Sequence, residues 1–369
     1  MIPVNTPLLD GNEKKYLLEC IESGWISSEG PFVSKFEAQF SARIGRAHGI
    51  AVCNGTAALD AAVEALGIGP GDEIIMPAFT IISCVAQIVR AHAIPVLVDS
   101  DPLTWNMDVR QLEAKITPRT RAIMVVHTYG LPVDMDPVLD LARRHRLMLI
   151  EDAAEMHGQT YRGRACGSFG DISTFSFYPN KHITTGEGGM LLTDNEMLAE
   201  ECRSLRNLCF QPKRRFVHER LGWNLRMTNL QAALGLAQLE RLDEFVTRKR
   251  HMGARYTMAF SALPGVQLPL ARTDYADNIY WVFGLLVGED KGIDAEEAMR
   301  RLAAEGIGTR PFFCPMHQQP VLRRMGLFAE DSHPTAELLY RQGFYIPSGM
   351  ALANSDVDRV IEAVWKVLG

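Results

Sequence analysis

Over its first two thirds this chain alternates short apolar runs of strand length with segments of helical periodicity, and no other feature narrows its fold so far. The runs are "GIAVCN", "DEIIMP", "PVLVDSD", "AIMVVH", "LMLIED", "DISTFSF" and "GMLLTD". Helical patterns cover residues 11–23, 33–44 and 56–66, and each is followed by a glycine (Gly24, Gly45, Gly67) of the kind that closes a helix. That order predicts helices packed on a largely parallel sheet. From Thr228, an N-cap residue type, the pattern changes to one long charged helix reaching about residue 260. It leads into a smaller α/β region containing "YWVFGLLV", "AEEAMRRLAAEG", "FYIPS" and "SDVDRVIEAVWKVL". The 369 residues exceed the roughly 250–300 at which single cores stop growing, so two domains are expected, residues 1–245 and 246–369.

Composition removes several classes of function. No apolar run approaches the ~20 residues that span a bilayer, and the opening "MIPVNTPLLDGNEKKY" lacks the basic and apolar regions of a secretory signal. A cytoplasmic protein is expected. The seven cysteines are odd in number, scattered and without a close CxxC pair, which suits reduced thiols better than disulfides or zinc. A formal net charge of -6 gives no general pull toward nucleic acid, although "RSLRNLCFQPKRRFVHERLGWNLR" is locally basic.

Three segments fall at predicted strand ends, where open α/β sheets gather ligands. In "CNGTAALDAAVEAL" a strand leads through Asn54, Gly55 and Thr56 into a helix whose free amides could cradle an anion, though "NGT" also suits an ordinary turn and cap. In "LMLIEDAAEMHG", Glu151 and Asp152 end an apolar strand, and an acid buried there needs a cation or a hydrogen-bond donor. Capping of the following turn explains Asp152 about as well as a functional role. In "FSFYPNKHITTGEGGM", strand alternation puts Thr174 and Ser176 on one face and Phe175 and Phe177 on the other. Lys181 follows a turn favoured by Pro179 and Asn180, and "TTGEGG" then lets the backbone pass close to a planar ligand. A lone lysine there is most often a solvated charge. The GxxxxGKS order of a phosphate loop is absent, because the lysine precedes the glycines.

Taken together, the three segments describe one cofactor. A phosphate at Gly55, Thr56 and Ser176, a ring nitrogen kept protonated by Asp152, and an aldehyde held by Lys181 as a Schiff base are the attachments of pyridoxal 5'-phosphate. Free lysine ionises at about 10.4, so desolvation must help to make the amine a nucleophile.

These motifs stand in longer segments, among them "GNEKKYLLECIESGWISSEGPFVSKFE", "ITPRTRAIMVVHTYG", "GWNLRMTNLQAALGLAQLERLDE" and "TRPFFCPMH". By them the chain resembles the DegT/DnrJ-type sugar aminotransferases over nearly its whole length. The resemblance implies an aspartate-aminotransferase-like (type I) α/β fold, with a large pyridoxal-phosphate domain and a smaller C-terminal one, in a homodimer with two active sites at the subunit interface. It assigns Lys181 to the Schiff base, Asp152 to the pyridine nitrogen, Glu155 to the neighbourhood of the ring hydroxyl, and Gly55, Thr56 and Ser176 to the phosphate. Asn224 is expected to reach the phosphate from the neighbouring subunit, and Trp25, Arg226 and His317 to meet the substrate.

Ile81 takes a position where relatives often stack an aromatic on the ring, while Leu225 and Met156 are further departures, all three read as neutral repacking. Dehydratase relatives carry histidine in place of the lysine. Because Lys181 is retained, His182 reads as a loop residue and transamination is favoured; His127 and His157 read as structural or peripheral. L-glutamate is the implied amino donor and a nucleotide-linked 4-keto-6-deoxy sugar the acceptor, first GDP-4-keto-6-deoxymannose and otherwise a dTDP- or UDP-linked sugar. One or two basic residues among Arg203, Arg206, Lys213, Arg214, Arg215, Arg220 and Arg226 are expected at the diphosphate. A rival of another class keeps the fold as a regulatory or binding protein without catalysis.

Overall fold

A computed structural model describes residues 1–211 and 213–369. All seven apolar runs form strands of one sheet: β1 (His48–Val52), β2 (Glu73–Pro77), β3 (Ile94–Val98), β4 (Thr120–Val126), β5 (Met148–Asp152), β8 (Ile172–Ser176) and β9 (Gly189–Thr193). Between β5 and β8 a two-stranded hairpin, β6 (Thr160–Tyr161) and β7 (Arg164–Ala165), stands apart. The large sheet runs β1-β9-β8-β5-β4-β2-β3, with only β9 antiparallel to its neighbours. The other six strands therefore finish at the same edge, which is where a ligand can be met by several loops at once.

Strand residues divide between two apolar layers with period two, as pleating requires. Ile50, Ile74, Ile150 and Leu191 join the layer covered by helices Gly55–Ala65 and Ile82–Arg90. Ala51, Ile75, Leu149 and Met190 face the opposite layer, under helices Pro31–Ile44 and Asn229–Leu239. All eight strand residues are essentially inaccessible, and burial of each large aliphatic side chain contributes about 1.5–3 kcal/mol. The expected glycine stops also form: helices Glu13–Ser23 and Pro31–Ile44 close on left-handed Gly24 and Gly45, at φ 74° and 80°.

One helix is not as the sequence predicts. The expected single helix over 228–260 is two, Asn229–Leu239 and Leu242–Phe260, separated at Glu240 and Arg241. Neither glycine nor proline marks the break. Instead the Glu240 carboxylate accepts hydrogen bonds from Asn12 (2.7 Å) and the Tyr16 hydroxyl (2.5 Å), while Arg241 pairs with Asp10 and Glu244. The N-terminal segment holds both residues, so tertiary contacts set the bend. Thr228 is the cap expected of it, in a reciprocal box with Gln231.

A second sheet, β10 (Val266–Gln267), β11 (Phe283–Val287), β12 (Arg310–Pro311) and β13 (Gly343–Ile346), is antiparallel throughout in the order β10-β11-β13-β12. Helix Leu242–Phe260 has Leu242 and Phe245 in an apolar layer of the large sheet, and Met252, Tyr256 and Phe260 in the core behind the small one. Trp281, Phe312 and Tyr345, from the small sheet's surroundings, close over the large sheet's first layer. Among the described residues no helix is long and apolar enough to cross a membrane.

Candidate active site

A cavity of about 450 Å³ opens where the parallel strands finish. Gly55, Thr56, Ile81, Asp152, Glu155, Ser176 and Lys181, seven of the residues singled out in the sequence, all line it.

At one end is the start of helix Gly55–Ala65. The Asn54 side chain caps it by accepting from the Ala57 amide at 2.8 Å, which leaves the amides of Gly55 and Thr56 free. A Cβ on Gly55 would lie 2.8 Å from that of Ser176, so glycine is what lets helix and strand approach. Thr56 and Ser83 share a hydroxyl–hydroxyl hydrogen bond of 3.0 Å, and Thr174 has a buried hydroxyl with no partner. Two free amides at a helix N-terminus with hydroxyls beside them form a phosphate cradle.

Asp152 ends β5 with 3% exposure. One oxygen accepts from the Ala154 amide at 3.0 Å, a turn cap as the sequence allowed, and among the described residues the other receives only the Cys84 thiol at 3.3 Å. Burial raises its pKa, with weaker opposing help from these donors and from Lys181. Among the described residues no cation pairs closely with this carboxylate, and a protonated pyridine nitrogen would supply one. Glu151, its neighbour, points elsewhere: the Gly167, Phe169 and Gly170 amides and His127 all converge on it. His127, which also lines the cavity, in turn accepts from the Val133 amide, so both of its ring nitrogens have partners.

Lys181 has a side chain only 10% exposed, with its Nζ 3.8 Å from Glu155 and 3.9 Å from the centre of the Trp281 ring. Burial is the largest influence on both members of the pair, lowering the lysine and raising the glutamate in opposition to their mutual attraction. Both are driven toward their neutral forms, and a neutral amine is the nucleophile that imine chemistry needs. Glu155 also accepts from the Tyr129 amide at 2.7 Å. His182, beside the lysine, turns away to the Ile279 carbonyl at 3.2 Å.

The remaining residues lie elsewhere. Asn224 accepts from Arg226, which also bonds to Asn207; Arg226 and Asn207 line a separate depression with Arg203 and Arg206. Trp25 is 52% exposed. His317 is buried and does not line the cavity, with Nε2 2.8 Å from Glu337 and its ring edge-on to His333. Met156 is fully buried in the second apolar layer, and Leu225 packs against the first; neither lines the cavity. Cys84 and Trp281 were missed by the sequence reading. Their signals, a cysteine in an apolar helix and a tryptophan before a strand, are those of core residues.

The cradle, the uncompensated Asp152 and the desolvated Lys181 fit pyridoxal phosphate at its phosphate, ring nitrogen and aldehyde. The sheet and the site define a type I pyridoxal-phosphate enzyme of the aspartate-aminotransferase kind. Residues 7–365 match the DegT/DnrJ/EryC1/StrS aminotransferase family, and the chain belongs to it. It is 46% identical over 369 residues to the GDP-perosamine synthase of Caulobacter vibrioides, covering 100% of this chain and 98% of that one. Identity to the GDP-perosamine synthase of Escherichia coli O157:H7 is 42% over 365 residues, 98% of this chain and 97% of that one. The pyridoxal-phosphate form of the putative sugar aminotransferase Spr1654 from Streptococcus pneumoniae superimposes with a TM-score of 0.92 at 26% identity, covering 99% and 98% of the two chains. The protein is accordingly a pyridoxal-phosphate-dependent aminotransferase.

Proposed function

We propose that this aminotransferase moves the amino group of L-glutamate to carbon 4 of GDP-4-keto-6-deoxymannose, giving GDP-perosamine for a surface polysaccharide. The observation that carries the chemistry is the buried Lys181 amine, biased to its neutral form in the same cavity as an Asp152 without a close cation. The GDP sugar is supported by full-length similarity to two GDP-perosamine synthases.

When bound, pyridoxal phosphate supplies an aldehyde for amine exchange and a protonated ring that draws electrons from the reacting carbon. Gly55, Thr56 and Ser176 would hold its phosphate, Asp152 its ring nitrogen, and Glu155 the region of its hydroxyl. Ile81, in the cavity wall, would offer the ring an aliphatic surface. Lys181, once its amine is free, takes the proton from the α-carbon of glutamate and later delivers one to carbon 4 of the sugar; its proximity to both makes the transfers fast. Over the cycle glutamate leaves as 2-oxoglutarate and the ketone becomes a primary amine.

The working form is a homodimer. Leu221 and Trp223, near Asn224 in sequence, and Trp25 in the N-terminal segment are exposed apolar side chains, as expected of a subunit contact. Asn224 and Arg226, outside their own chain's cavity, serve the partner's phosphate and diphosphate sites.

Incubation of the purified protein with pyridoxal phosphate, L-glutamate and GDP-, dTDP- or UDP-linked 4-keto-6-deoxy sugars tests the reading by mass spectrometry. The aminated GDP sugar is expected to form fastest, and Lys181→Ala to form none while losing borohydride-reducible cofactor. Preference for another nucleotide would overturn the sugar assignment; full activity of Lys181→Ala would overturn the lysine.

A further inference from the structure

Lys249 has no part in the chemistry described so far, yet it is among the least accessible charged groups in the chain, at 3% exposure. It lies in helix Leu242–Phe260. Among the described residues no carboxylate pairs with its Nζ, which donates to two backbone carbonyls. One is that of Trp281, at 2.7 Å, and the other that of Ser348. An ammonium kept from water without a counter-ion is costly, and burial draws this one down to about 7, where charged and neutral amine alike donate to the carbonyls; a methionine would fill the same space without that cost. The two carbonyls are therefore the reason to look for a role.

Both lead to fixed parts of the structure. The Ser348 hydroxyl accepts from the Phe283 amide at 2.9 Å and donates to the Ile346 carbonyl at 2.7 Å, which ties it to β11 and β13. Trp281 faces the cavity. Its indole N–H donates to the carbonyl of Asn180, the residue before Lys181, at 2.8 Å, while its ring covers the Lys181 Nζ at 3.9 Å. Trp281 thus touches the lysine twice, through the backbone on one side and the amine on the other. The Lys249 bond fixes the backbone from which that ring projects.

We infer that Lys249 is a positioning residue for Lys181, acting through Trp281: its ammonium holds the Trp281 carbonyl and thereby keeps the indole over the reactive amine. The ring face favours a cationic nitrogen. Glu155, Asp152, Cys84, His157 and His182 also face that nitrogen and stay unchanged in the variants below, so loss of the ring contact lowers the pH at which it gives up its proton.

The inference rests on Lys181 as the cofactor lysine, and the experiment separates the two. Visible absorbance of the cofactor-loaded protein, titrated against pH, reports protonation at the nitrogen of Lys181. Lys249→Met and Trp281→Leu are each expected to lower the midpoint by about 0.5–1 unit. The double variant is expected to shift no further than Trp281→Leu alone, and Lys249→Gln, which keeps an N–H donor, to recover part of the change. An unchanged midpoint in Lys249→Met, or a double-variant shift equal to the sum of the single ones, overturns the inference. Should Lys249→Met not fold, Lys249→Gln and Trp281→Leu are read instead, and an unchanged midpoint in either overturns it. Failure of the underlying reading looks different: Lys181→Ala would then keep the lysine-dependent visible band.

Discussion

Gly55 and Ser176 meet so closely that one methyl group would separate them. Gly55→Ala is therefore expected to push apart the helix start and the end of β8, weakening pyridoxal-phosphate binding about tenfold, or about 1.4 kcal/mol. Fluorescence titration of the cofactor-free protein measures this, and affinity within twofold of the parent would refute it. His157 makes a different point about single residues. Its ring lies among Phe40, Phe175 and Phe177 with neither nitrogen bonded, and burial pulls it down to about 3. An unfolded histidine takes a proton near 6.5, so between about pH 6.5 and 3 the unfolded chain binds a proton that the folded one refuses. Stability is lost as pH falls through that window, by up to about 4 kcal/mol. His157→Phe should show a smaller fall in Tm between pH 7 and 4; an equal fall would show that the imidazole is not responsible. Lys181, Asp152 and Gly55 were legible because each sits at a strand end among residues that a plain core segment does not use. Cys84 and Trp281 were not, since an apolar core and the surroundings of a site draw on the same residue types.

Among the elements, the parallel strands were readable from period and length, and their glycine-closed helices from the residue after each stop. The interruption at Glu240 and Arg241 was not, because local propensity favours continuation and only the distant Asp10, Asn12 and Tyr16 oppose it. Thr228 was readable as a cap, and its consequence is measurable. Its side chain accepts from the Gln231 amide, and Gln231 donates to the Glu187 carbonyl at 2.7 Å, in the loop between Lys181 and β9. Thr228→Ala should cost about 1 kcal/mol of stability in denaturant unfolding. No change in midpoint would mean that the helix is held by packing alone.

At the scale of the whole molecule, the proposed sharing of sites makes a prediction about mixtures. Lys181→Ala and Asn224→Ala subunits should each be inactive alone, but a randomly mixed population should regain about a quarter of parental activity, because half of the dimers hold one intact site. No recovery in subunits shown to exchange would confine each site to a single chain. Trp25, Asn224, Arg226 and His317 could be named from sequence but not located, since periodicity carries no information about which side of a wall, or which subunit, a residue serves.

Helix Leu242–Phe260 constrains how such a molecule can move. A rod embedded at both ends in separate oily interiors cannot act as a loose hinge, because tilting it would drag Phe245 or Phe260 out of its seat. Substrate entry must then be governed by side chains at the mouth, and two crystal forms of the protein should differ there while the angle between the sheets stays nearly constant.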